Sequence, residues 1–148
     1  MEDRSASDVM EDRSARDTMS PITLAEYFMG RDAEHGSELT EQLMRNADAM
    51  VTRANMLLER ACVACAVNSG WRPRAVNTQV PNASPRSRHL TCEAIDLADP
   101  DDRLDAWCMR NLEVLEAIGL WLEHPDATPG WCHVQIVPPR SGRRVFEP

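Results

Sequence analysis

Two stretches of the chain carry apolar residues at the three- and four-residue steps of a helix. The first predicts an amphipathic helix from about Thr40 to Arg60, and the second predicts a helix that follows the acidic run at 99–102 and ends at Gly119. Residues 22–29 predict a short helix or an ordered lead-in. The apolar positions of the two main stripes are Leu43, Ala47, Met50, Ala54, Leu57, Leu58 and Ala61, then Leu104, Trp107, Cys108, Leu112 and Leu115.

Short β-compatible runs alternate with these helices. Val63 to Asn68 and residues 94–97 each predict a strand, and residues 120–123 and 131–137 predict a hairpin around the turn-rich run HPDATPG. Residues 72–88 contain three prolines and no periodicity, which predicts a long loop of the kind that is often functional. The order of elements predicts an α+β domain with a small, mainly antiparallel sheet packed with helices.

The N-terminal segment differs in character from the rest of the chain. The run MEDRSASD at residues 1–8 recurs as MEDRSARD at residues 10–17, and both copies are polar and charged. We predict a disordered acidic tail over residues 1–19 and a single domain over residues 20–148. The tail lacks the apolar centre of a signal peptide, and no run of 18 apolar residues follows, so we expect synthesis in the cytoplasm and no membrane span.

Composition narrows the chemistry. All 16 basic residues are arginine, so no Schiff-base lysine, P-loop lysine or kinase lysine can be present. The net charge of -8 argues against general nucleic-acid binding, which needs a basic face. The 5 cysteines predict no disulfide framework, and Cys62 and Cys65 are interpreted as two small apolar residues at a helix end.

Three separated residues suggest a metal site. His89 precedes Asp96 by seven positions, Asp96 lies in a predicted strand, and His133 lies in a later one. Two histidines and one carboxylate suit Zn²⁺ with a fourth position open to water. A single histidine on a strand is more often a packing or surface residue, so the spacing decides the interpretation.

This spacing resembles that of the zinc D-Ala-D-Ala carboxypeptidase and L-alanyl-D-glutamate endopeptidase family, which cuts peptidoglycan peptides and shares the hedgehog-type fold. The family pattern Ser-x-His-x-x-Gly-x-Ala-x-Asp with a distal histidine is matched by Ser87, His89, Ala94, Asp96 and His133. The segment Ser-Gly-Trp-Arg-Pro at residues 69–73 is similar to the family's Ser-Gly-Tyr-Arg-Ser. Over residues 20–148 the chain looks like a phage-associated branch of this family.

The resemblance implies a role for each matched residue. His89, Asp96 and His133 would bind Zn²⁺, Arg72 would contact the substrate or stabilise the developing oxyanion, and Ser87 would support substrate binding. It also implies a peptidoglycan peptide as substrate and action on the cell wall. We separately expect a monomer. Because the tail does not look like a signal peptide, we expect release through a holin-like partner or incorporation into a virion.

Two positions depart from the family pattern. The mid-motif glycine is Cys92, which would strain a turn, lie near the metal as an additional ligand, or be a small buried residue. The general base of the family would stand at Gly130, which has no side chain. If Glu123 paired opposite Trp131 in the hairpin, Glu123 would share a face with His133, diagonally adjacent to it. We therefore predict Glu123 as the base, with His124 and Asp126 as weaker candidates.

The expected function is zinc-dependent hydrolysis of peptidoglycan stem or cross-link peptides, as in phage or prophage endolysins. Gly130 favours an alternative, a non-catalytic zinc-containing binding or virion-structural module on the same fold. A third interpretation is a metal-free structural protein in which the motif matches are accidental.

Overall fold

The long amphipathic helix forms where its apolar stripe predicts it. A computed structural model describes residues 20–148, and the predicted tail at residues 1–19 lies outside the described residues. The short helix α1 (Leu24–Phe28) and the single turn α2 (Arg31–Glu34) precede a 3₁₀ turn (Gly36–Glu38) and the main helix α3 (Glu41–Ala61). The Thr40 hydroxyl caps α3 by accepting from the Leu43 N–H, and Cys62 ends it in a left-handed conformation.

The second predicted helix is two helices. These are α5 (Arg103–Arg110) and α6 (Leu112–Ile118), which meet at Asn111. The Asn111 side-chain amide donates to the Trp107 carbonyl at 2.8 Å. In a continuous helix that carbonyl would accept the backbone N–H of Asn111 instead. The backbone N–H of Asn111 turns instead to Cys108. Local side-chain bonding of this kind explains why a continuous stripe does not give a continuous helix.

Five strands form one mixed sheet in the order β1-β2-β4-β3-β5. They are β1 (Val67–Ser69), β2 (Ala94–Ala98), β3 (Trp121–Glu123), β4 (Trp131–Gln135) and β5 (Val145–Phe146). A further 3₁₀ turn (Pro125–Ala127) lies between β3 and β4. The α+β class is confirmed, and the sheet is antiparallel except for the parallel pair β3–β5.

Two details of the predicted strands and loops are wrong, and one strand was not predicted. The strand predicted from Val63 begins only at Val67, because the chain must first leave the end of α3 and reach the sheet edge. The loop at 72–88 contains a helical turn, α4 (Arg74–Asn77), that starts after Pro73. The polar C-terminal segment contributes β5, which its two apolar residues alone were too short to indicate.

One face of the sheet packs into the core, and the other carries the polar row described below. Ile95, Leu97 and Val134 point to the helices and are fully buried. Alternation along each strand therefore places Asp96 and His133 on the opposite face. None of the helices in residues 20–148 has the length and apolar character that crossing a membrane requires.

Candidate metal centre

One row of side chains crosses all five strands on the face away from the core. Ser69 pairs with Asp96, Asp96 pairs with His133, and Glu123 pairs with Phe146. The β3–β4 register pairs residue 121 with 135 and 122 with 134, so its next step brings Glu123 opposite His133. Directly opposite residues share a face, which gathers a carboxylate, an imidazole and a second carboxylate along one line.

The predicted hairpin register is therefore wrong by two residues, although the shared face is correct. Glu123 lies directly opposite His133 rather than opposite Trp131, and Glu123 Oε1 is 3.8 Å from His133 Nδ1. A shift of two residues preserves the face because side chains alternate with a period of two. The weaker candidate Asp126 is exposed and lines a different cleft, while the ring of His124 accepts from the Asp126 N–H.

His89 joins this row from the loop that precedes β2. Its ring is buried, and Nδ1 lies 2.8 Å from the Gly70 carbonyl oxygen. Because a carbonyl can only accept, Nδ1 carries the hydrogen and the lone pair lies on Nε2. The backbone is held as well, since the His89 N–H donates to Ser87 Oγ at 3.2 Å and the His89 carbonyl accepts from the Arg72 N–H at 3.0 Å.

Several acceptor atoms converge at Asp96. Oδ2 lies 3.2 Å from His89 Nε2, and Oδ1 lies 2.8 Å from His133 Nδ1. His89 Nε2 is buried without a hydrogen-bond partner in the described part of the chain. A lone pair facing a carboxylate at this distance requires a cation or a proton between them, so these donor atoms fit a metal ion. The metal-ligating atoms of the three residues all lie within 4.8 Å of one another.

Burial and neighbouring charges shift the pKa values of the three residues in different directions. Burial lowers the pKa of His89 against the opposing effect of Asp96, which favours the neutral imidazole that metals bind. Burial alone would raise the pKa of Asp96, but the electrostatic interactions and hydrogen bonds with His89 and His133 hold this pKa well below its usual range. Burial opposes protonation of His133, yet the hydrogen bond and charge of Asp96 outweigh it and raise the pKa of His133.

Arg72 is fixed beside this centre by three partners. Its Nε donates to Ser69 Oγ at 3.1 Å, one terminal nitrogen donates to Asn77 Oδ1 at 3.2 Å, and the other lies 3.5 Å from Asp96 Oδ2. Asn77 is buried in α4 and donates onward to the Ser84 carbonyl. The planar guanidinium is thereby oriented along the edge of the metal-ligand group, with its charge directed at the same space.

The centre lies in the wall of an open cleft of about 390 Å³. The cleft is lined by all three predicted metal ligands together with Arg72, Ser87 and Glu123. Burial raises the pKa of Glu123, and the charges of Asp96 and Glu147 add to this effect while that of His133 opposes it. Ser87 also lines the cleft. Its hydroxyl oxygen accepts the backbone N–H of His89, so in the described residues Ser87 supports a predicted metal ligand.

The two departures from the family pattern have structural counterparts. Cys92 has a φ of 59°, so this position does adopt the left-handed conformation that glycine favours. Its side chain is fully buried, and it is not among the groups of residues 20–148 that could hold a metal. Gly130 also has a left-handed φ, of 91°, and its carbonyl accepts from the Asp99 N–H.

A second group of acids, Asp99, Asp102 and Asp105, has a structural explanation. Both carboxylate oxygens of Asp99 accept backbone N–H groups at the start of α5, from Leu104 at 3.0 Å and from Asp105 at 2.9 Å. These bonds satisfy donors that a helix N-terminus leaves free. The group lies outside the cleft and was not predicted as a site.

Two contributors to the centre were missed from the sequence. The Gly70 carbonyl accepts from His89, and Gln135 Oε1 lies 3.0 Å from His133 Nε2. Strand alternation could have placed Gln135 on the face of His133, because the two are separated by two positions in one strand. The contact from Gly70 is made by its backbone carbonyl, which every residue has, so the sequence could not indicate it.

Comparisons of the chain with protein-family models, with curated proteins and with solved structures return no match. The resemblance to the zinc peptidase family therefore rests on the motif residues of the sequence alone.

Proposed function

We propose that this chain is a zinc-dependent peptidase with a hedgehog-type fold that hydrolyses peptidoglycan stem or cross-link peptides, as phage or prophage endolysins do. The observation that carries the proposal is the convergence of His89 Nε2, the Asp96 carboxylate and His133 Nδ1 in the wall of a cleft. Two imidazoles and one carboxylate are a donor set typical of catalytic zinc.

Each residue has a defined part in such a reaction. His89, Asp96 and His133 would hold the ion. Zinc, when bound, supplies Lewis acidity and lowers the pKa of water to near neutrality. Glu123 would accept the proton of the attacking water, since a carboxylate with a raised pKa on the cleft side of His133 suits a general base. Arg72 would bind the substrate carboxylate or the developing oxyanion through its oriented guanidinium.

The position of Glu123 supports it as the base, although Gly130 has no side chain. The base expected three residues before His133 is absent from that place in the sequence, but a carboxylate reaches the same imidazole from the neighbouring strand. Gly130 nevertheless favours a second candidate function, a zinc-containing binding or virion-structural module that uses the same cleft for recognition. The two functions differ in whether a bound wall peptide is cut.

The experiment combines metal analysis with digestion of cell walls. Purified full-length protein is titrated with Zn²⁺ and then incubated with peptidoglycan, and released fragments are identified by mass spectrometry. We expect one zinc per chain and new peptide termini, both lost in Asp96→Asn and kept in Glu116→Gln, a control on an exposed helix face. Zinc binding without new termini would support the binding module, and absence of zinc binding would contradict both functions.

For biological context, we propose that the protein acts on the cell wall as a monomer. It would be released with a holin-like partner or carried by a virion. Adding the protein to intact cells and to permeabilised cells would distinguish these routes, because only an internally released enzyme depends on permeabilisation.

A further inference from the structure

We infer that Gln135 is a positioning residue that determines which nitrogen of His133 binds the metal. This inference rests on the proposed zinc site and adds a residue that the motif does not contain. Gln135 is buried, on the same strand and the same face as His133. Its contacts assign the direction of the hydrogen bond at Nε2 of the His133 ring.

The direction of the first bond follows from a backbone carbonyl. Gln135 Nε2 lies 2.9 Å from the Val137 carbonyl oxygen, which can only accept, so the amide nitrogen must face Val137. The amide oxygen therefore faces His133, with Oε1 3.0 Å from Nε2. An oxygen at this place can only accept, so His133 Nε2 keeps its hydrogen.

The consequence falls on the other ring nitrogen. With Nε2 protonated, Nδ1 is the atom that must lose its hydrogen when a metal binds, and Nδ1 faces Asp96 Oδ1 at 2.8 Å. Without the Gln135 acceptor, the carboxylate of Asp96 would favour a neutral ring with its hydrogen on Nδ1, where it blocks the ligand atom. Gln135 thus opposes the tautomer that Asp96 alone would select.

His89 uses the opposite arrangement. The Gly70 carbonyl retains the hydrogen on Nδ1 of His89 and leaves Nε2 free. The backbone acceptor at Gly70 therefore leaves Nε2 of His89 facing Asp96. The side-chain acceptor of Gln135 leaves Nδ1 of His133 facing the same carboxylate. A substitution can remove the acceptor at Gln135, because it belongs to a side chain, whereas the acceptor at Gly70 belongs to the backbone.

The test compares Gln135→Met, Gln135→Glu and the exposed control Gln79→Met in the full chain. Zn²⁺ affinity is measured by competition with a chromophoric chelator, and the His133 ring is observed by ¹⁵N NMR with and without Zn²⁺. We expect Gln135→Met to weaken zinc binding about 10- to 100-fold and to lose the protected Nε2 hydrogen. Gln135→Glu keeps the acceptor for Nε2 but loses the donor to Val137, so its affinity should stay close to that of the wild type.

The outcomes separate this inference from the proposed function. A zinc-binding wild type with an unchanged affinity in Gln135→Met, or with His133 bound through Nε2, would overturn the role of Gln135 alone. Equal losses in the Met and Glu variants would assign the effect to the Val137 contact and also overturn it. A wild type that binds no zinc would overturn the zinc site and the positioning role together.

Discussion

Asp96 and His133 stand directly opposite each other on adjacent antiparallel strands, and Asp96 Oδ1 lies 2.8 Å from His133 Nδ1. The same carboxylate reaches His89 Nε2 with its second oxygen at 3.2 Å. One aspartate therefore bridges a strand histidine and a loop histidine that are far apart in the sequence. Because both contacts are buried, the arrangement requires positive charge between the acceptors, as a proton or as a metal ion.

Replacing the proposed base should separate catalysis from metal binding. We expect Glu123→Gln to lower peptide hydrolysis by about 10²- to 10⁴-fold while zinc stoichiometry stays unchanged, because the amide cannot accept the proton. The matched control is Glu116→Gln, an exposed acid on helix α6, away from the cleft. Turnover rates and bound zinc are measured on the same samples. Undiminished turnover in Glu123→Gln would remove this residue from the mechanism.

The reaction should require the planar guanidinium of Arg72, and a positive charge at this position alone should not suffice. Lysine cannot reproduce the simultaneous contacts of the guanidinium with the side chains of Ser69, Asn77 and Asp96. We expect Arg72→Lys to reduce kcat/KM by roughly 10²- to 10³-fold if the guanidinium stabilises the oxyanion, with zinc still bound. The nearby exposed Arg74→Lys serves as control. Equal kinetics in both variants would contradict a role for Arg72 in the reaction.

Gly70 should be required because its α-carbon approaches helix α1. A Cβ at this position would overlap the carbonyl oxygen of Tyr27, whereas a Cβ at Gly36 meets nothing within 4 Å. We expect Gly70→Ala to destabilise the fold by about 1–3 kcal/mol and to weaken zinc binding by displacing the carbonyl that holds His89. Chemical denaturation and zinc competition measure the two effects. Gly36→Ala should change neither quantity. If Gly70→Ala were as stable as the wild type, the close contact between Gly70 and Tyr27 would not require glycine.

Asp105 should make stability depend on pH. Burial raises its pKa to about 6, with the charges of Asp99 and Asp102 adding to the effect and hydrogen bonds from Cys132 and Thr128 opposing it. The folded state therefore holds this proton more tightly than the unfolded state does. The resulting stabilisation is complete below the unfolded pKa of 3.8 and is lost as the pH rises through about 6.

The comparison of Asp105→Asn with the wild type isolates this contribution. Between about pH 4 and about pH 7, the wild type should lose roughly 2–3 kcal/mol of unfolding free energy more than the variant does, because the amide does not titrate. Urea denaturation at the two pH values measures the difference. Asp126→Asn, whose side chain is exposed, should follow the wild type at both. Parallel pH profiles for Asp105→Asn and the wild type would refute the assignment.

Much of the fold could be predicted because its determinants are local. The stripe from Leu43 to Ala61 predicts α3 within one residue at each end, since burial of one helix face needs only the residues of that helix. The break at Asn111 and the short β5 could not be predicted in the same way. The first depends on a side-chain bond to Trp107, and the second depends on a strand that reaches it from elsewhere.

The sequence by itself determined the residue types of the candidate centre and the faces of its strand residues. Alternation is a property of any strand, so Glu123 and His133 were assigned to one face despite an incorrect register. Only the tertiary structure decided that Glu123 lies opposite His133, that Arg72 is held by three partners, and that Gly70 and Gln135 orient the two imidazoles. The physical reason is that hydrogen-bond direction and strand register depend on groups distant in the chain, which packing brings to 2.8–3.8 Å from one another.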